Sequence, residues 1–159
     1  MRPNTRVIIV DNDKVHSDML KSLLAEFWIE SIEVAEYLDT AKDLCKNILD
    51  TPDKTIIILD GEFRTSKTAS LFELSRNKSG RCTEFIEYLR DIPGVVSSQN
   101  LTILLNSSNK DHNLKVREEE KKNHSNNAQF TFKITDKDED KIRNKIQAVL
   151  SLMWEEQSA

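Results

Sequence analysis

Two stretches limit what this chain can fold into. Val7-Ile8-Ile9-Val10 runs into Asp11-Asn12-Asp13, and Ile56-Ile57-Ile58-Leu59 runs into Asp60-Gly61. Neither run alternates apolar with polar residues. Strands of that kind are buried on both faces, as in the middle of a parallel sheet. Each run stops at a carboxylate. In open α/β sheets the carboxyl edge of the strands is where ligands bind. The acids are therefore candidates for chemistry as well as for turns.

The segments between follow helical spacing. Val15, Met19, Leu20, Leu23, Leu24 and Phe27 share one face, with Asp13 placed to cap the helix or load its first turn. Ser31 to Tyr37 reads as a shorter strand. Thr40 is the expected cap of a second helix carrying Ala41, Leu44, Cys45, Ile48 and Leu49, broken at Thr51-Pro52-Asp53. The order β-α-β-α-β implies a parallel sheet with helices on both faces. In a doubly wound sheet the first and third strands are neighbours at the switch point. Asp11, Asn12 or Asp13 would then share a pocket with Asp60. Clustered carboxylates repel unless a cation or proton neutralises them, and a hard divalent ion such as Mg²⁺ suits oxygen ligands.

Beyond Asp60 the pattern loosens. Arg64 to Gly80 reads as a long loop with one apolar knot at Leu71, Phe72 and Leu74, in the first place a solvated surface loop and, as the competing hypothesis, one that leans over the pocket and restricts access. A helix with Phe85, Ile86, Leu89 and Ile92 ends at Pro93-Gly94. Leu101 to Leu105 is a fourth strand ending in Asn106-Ser107-Ser108. Lys110 to Gln129 is strongly polar and reads as a solvated helix passing into an Asn-rich loop. Phe130 to Ile134 is a fifth strand carrying Lys133. Thr135 or Asp136 is placed to cap a last helix whose Ile142, Ile146, Val149, Leu150 and Met153 form a stripe. Trp28 and Trp154 are expected at helix ends, packed on the core edge. His16, near the pocket mouth, reads as a surface residue.

The totals narrow the functional classes. At 159 residues the chain is long enough for a single domain, 1-159, with its core at about 6-153. The net charge is -4 and no basic run tracks a phosphate backbone, so direct nucleic-acid binding is not expected. No apolar run is long enough to span a membrane, and the polar start suggests no signal peptide. Cys45 and Cys82 make neither a disulfide framework nor a metal site. A reduced, cytoplasmic setting is expected.

With the polar strand ends in this order, the chain resembles the receiver domain of two-component response regulators, from about Arg6 to about Met153. The resemblance rests on Val-Ile-Ile-Val-Asp-Asn-Asp, Ile-Ile-Ile-Leu-Asp, Gly80 with the nearby Thr-Glu-Phe-Ile-Glu-Tyr-Leu-Arg, and Phe-Thr-Phe-Lys. It implies a flavodoxin-like, doubly wound five-stranded parallel sheet in the order 2-1-3-4-5. It further implies a non-enzymatic role: Asp60 accepts a phosphoryl group from a histidine kinase or phosphotransfer protein, and a downstream protein reads the result. Lys133 would pair with the acceptor, and Asn106 or Ser107 would fall at the phosphate-sensing hydroxyl position. Mg²⁺ would be held by Asp11, Asn12 or Asp13, Asp60 and the backbone carbonyl of Glu62. No attached output domain is expected, and the output is expected to be a protein contact.

Some residues depart from that pattern. The second acid of the metal pair is Asn12, with Asp13 one residue late. Asn106 stands where a hydroxyl is usual, Lys133 precedes Ile134 rather than proline, and the loop after Asp60 is long. These departures imply an alternative: a pseudo-receiver that keeps the fold and signals by binding alone. A third reading takes Asp11-Asn12-Asp13-Lys14-Val15 as the motif of a haloacid-dehalogenase-type phosphatase, with Asp11 as nucleophile and Asp13 as general acid. It suffers because an amphipathic helix starts at once, where that family places a flap.

Overall fold

A computed structural model describes residues 4–50, 53–61, 80–95, 98, 100–106, 131–134 and 138–158. Five strands appear among them: β1 (Thr5–Val10), β2 (Ser31–Ala35), β3 (Lys54–Asp60), β4 (Leu101–Asn106) and β5 (Thr131–Ile134). Every pairing is parallel, and the sheet order is β2-β1-β3-β4-β5, as expected. The two unbroken apolar runs occupy the centre. All seven residues of β3 are buried, and so are the last four of β1.

Alternation along these strands divides the core in two. Ile8, Val10, Ile57, Leu59, Ile103 and Leu105 face one way, and Val7, Ile9, Ile56, Ile58 and Leu104 face the other. Helices α2 (Leu38–Cys45) and α3 (Gly80–Asp91) cover the first side with Ala41, Cys45, Cys82, Phe85 and Leu89. Helices α1 (Lys14–Ala25) and α4 (Glu139–Ser158) cover the second with Leu20, Leu23, Leu24, Ile142, Ile146, Val149 and Leu150. Arg143, near the start of α4, holds Glu26 just beyond α1 at 3.0 Å.

Five local expectations change. Val15 does not join the buried face of α1; it is 76 % exposed, because the buried stripe runs through Ser17, Leu20, Leu23 and Leu24. Thr40 lies inside α2, which begins at Leu38 with Tyr37 at its cap position. That helix stops at Cys45, so Ile48 packs from a following turn. The last helix is capped by Asp138, whose Oδ1 accepts from the Lys141 N–H at 3.1 Å. Trp28 is 86 % exposed rather than packed on the core edge. The long loop up to 79, the polar segment 107–130, Glu62, Ser107, Thr135 and Asp136 lie outside the described residues, as do the side chains of Lys133, Met153 and Trp154.

Candidate functional site

The site is built where the central strands end. Val10 pairs in register with Leu59, so Asp11 and Asp60 stand at the next position of neighbouring strands. Parity adds direction. Asp11 follows Val7 and Ile9, and Asp60 follows Ile56 and Ile58, all on the α1/α4 side of the sheet. Asp60 is in register with Asn106, which follows Leu104 on that side. Three polar groups therefore converge at one edge, all shielded from water: Asp11 is 2 % exposed, Asp60 7 % and Asn106 2 %. Lys133 is placed by its backbone alone, in register with Leu104, two positions before Asn106 on the neighbouring strand.

Backbone donors fix these carboxylates. The Gly61 N–H donates to Asp60 Oδ1 at 2.8 Å. The Asp13 N–H donates to Asp11 Oδ1 at 2.8 Å, and the Asp11 N–H ties β1 to Ala35 O at 3.0 Å. Asp13 has a different task. Its Oδ1 accepts from the Val15 N–H at 2.9 Å and the His16 N–H at 3.4 Å, capping α1. This satisfies donors that a helix start otherwise leaves open. Asn12 is exposed.

His16 belongs to the site, which sequence reasoning missed. Its Nδ1 lies 3.4 Å from Asp13 Oδ2 and 3.9 Å from Asp11 Oδ2. The signal was available: three positions after an N-cap acid brings a side chain back over that cap.

The donor set speaks to the kind of cation. Among the described residues, no group of three His, Cys, Asp or Glu side chains is close-set enough to hold a metal ion. That is unlike a zinc site, which closes around four protein ligands or leaves one position open. Mg²⁺ asks for less, because it keeps several waters and takes one or two carboxylates. Asp11 and Asp60 could supply two, both buried and side by side.

No family model and no curated protein matches the sequence. Solved structures do match in shape. The signal receiver domain of a putative LuxO repressor protein from Vibrio parahaemolyticus is 16 % identical with a TM-score of 0.56, covering 99 % of this chain and 96 % of that one. A putative response regulator from Chloroflexus aurantiacus is 12 % identical with a TM-score of 0.56, over 94 % and 98 %. The Mn²⁺-bound form of response regulator Rcp1 is 15 % identical with a TM-score of 0.55, over 96 % of each chain. The chain thus has the receiver fold over nearly its whole length. Among the described residues, no helix is long and apolar enough to cross a membrane.

Proposed function

We propose that this chain is a signalling receiver that accepts a phosphoryl group on Asp60 and acts through contact with another protein in the cytoplasm. The observation that carries the reading is the edge at which buried Asp11, Asp60 and Asn106 come into register at the ends of β1, β3 and β4. A carboxylate oxygen of Asp60 attacks the phosphorus of a phosphohistidine, from a histidine kinase or phosphotransfer protein. The new P–O bond forms as the P–N bond breaks, and the imidazole leaves with that electron pair and takes up a proton. The Gly61 N–H, already on Asp60 Oδ1, holds the carboxylate in one orientation. Asp11 and Asp60 would hold Mg²⁺, which when bound neutralises charge on the phosphoryl oxygens. Asn106, with an amide, would meet one oxygen of the transferred group. Lys133 and Ser107 complete the set proposed from the resemblance, and the backbone carbonyl of Glu62 completes the metal ligands.

A phosphorylation-independent reading draws on one specific observation. Asn12 supplies no second acid, and the Asp13 carboxylate that could replace it already caps α1. The same cap weighs against a phosphatase, in which Asp13 would have to act as a general acid.

Intact-protein mass after incubation with acetyl phosphate and Mg²⁺, and with a phosphohistidine donor, separates the readings. One added phosphoryl group is expected, absent in Asp60→Ala and absent without Mg²⁺. No addition from either donor would overturn phosphotransfer and leave the binding-only receiver.

A further inference from the structure

We propose that Trp28 anchors a basic segment of a partner protein, on a surface separate from the carboxylate edge. Asp13 starts α1 at the carboxyl end of the strands, and Trp28 follows the other end of that helix. Trp28 has φ 63, the left-handed region. Its N–H donates to Ala25 O at 3.1 Å, and the Ile29 N–H to Leu24 O at 3.5 Å. This bond pair closes a helix through a residue that is usually glycine. Here an indole occupies the position and is 86 % exposed, while its neighbour Ile29 is buried. The chain displays a large aromatic surface at a backbone position that disfavours any side chain.

Charge selects the occupant. Glu26 and Glu30 flank Trp28 two positions away on either side, both exposed. Arg143 ties Glu26 to Glu139 and Asp140 at 3.0 to 3.2 Å. Three carboxylates are thus gathered on the single guanidinium of Arg143 at the end of α1, and Glu30 adds a fourth two residues past Trp28, so the acids outnumber the cation beside this position. An arginine or lysine side chain of a partner satisfies both features, its charge over the ring face and its donors on the carboxylates. Trp is also among the residue types that most often dominate protein interfaces.

The test uses the full chain, an oligo-arginine peptide and an oligo-glutamate control, followed by the indole N–H resonances. Trp28→Gly identifies the Trp28 signal by its loss, and its backbone conformation suits glycine, so the variant keeps the fold. The expected result is a saturable shift of the Trp28 signal with oligo-arginine only. Affinity should be roughly tenfold weaker in Trp28→Gly and also weakened in Glu26→Gln with Glu30→Gln. Equal affinity of wild type and Trp28→Gly overturns the proposal. So does a Trp28 signal that moves with protein concentration in the absence of peptide, which would assign the surface to a second copy of this chain.

Discussion

Trp28 shows how a residue can work against the element it terminates. An L-residue with a side chain in the left-handed region costs on the order of 1–2 kcal/mol, and the exposed indole recovers little by packing. Trp28→Gly should therefore stabilise the chain by about 1 kcal/mol, read as a higher urea midpoint at unchanged m-value. An unchanged or lower midpoint would mean that the indole makes contacts outweighing the backbone cost. Asp13 offers the opposite case, since its cap was legible from an acid preceding a helical stripe. Asp13→Ala should cost about 1 kcal/mol, whereas Asp13→Asn should cost little, because asparagine caps nearly as well. The pair also isolates the metal question: if the Asp13 carboxylate helps to hold Mg²⁺, Asp13→Asn weakens Mg²⁺ binding at unchanged stability. Cys45 gives a pH dependence. Burial, opposed in part by Arg6, pushes its thiol up to about 12. The folded chain keeps the proton while the unfolded chain releases it, so this contribution is complete below the unfolded thiol's pKa of about 8.5. Stability should fall from there as pH climbs toward about 12, and fall less in Cys45→Ala. Identical alkaline slopes would remove Cys45 as the cause.

Among the elements, the strands were the most legible, for a physical reason. A run such as Ile56 to Leu59 is apolar on both faces, and nothing in a small protein buries it except the middle of a sheet. Helix ends were less legible. Thr40 looks like a cap by residue type, yet α2 starts at Leu38, because burying Leu38 to 1 % exposure beside Ala41 and Cys45 outweighs a side-chain cap. The periodicity that placed Val15 on the core face missed by two positions: Ser17, small enough to sit under the first turn, took the inward place. The connections carry their own constraints. Gly94 has φ +86, and an added Cβ would stand 3.3 Å from Leu49 Cδ1. Gly94→Ala should destabilise by roughly 1 kcal/mol or more, since both the backbone angle and the Leu49 contact resist it. Thermal unfolding decides the point; an unchanged midpoint would mean that the turn relaxes to another conformation.

Across the whole molecule, the carboxylate edge and the two core halves have one origin, the central strands. The site was legible as far as acids at apolar strand ends can carry it: Asp11, Asp60 and Asn106 do converge. His16 was legible only as a residue near the pocket mouth: its spacing from Asp13 was there to read, but its approach to Asp11 depends on the turn that brings α1 back across β1. The same strands should make the fold a single cooperative unit. Ile57 packs with α2 and α3, while its neighbour Ile58 packs with α1 and α4, so each reports on one side of the sheet. Truncating either to alanine should cost about 2–5 kcal/mol. Since both faces share one backbone, both losses should appear in one transition, with far-ultraviolet dichroism and aromatic fluorescence moving together. A sheet whose two layers were merely apposed would behave differently: Ile57→Ala would melt the α2/α3 side first and leave a plateau. Coincident transitions in both variants would establish that β3 couples the layer holding α1, and with it Asp13 and His16, to the layer on the far side.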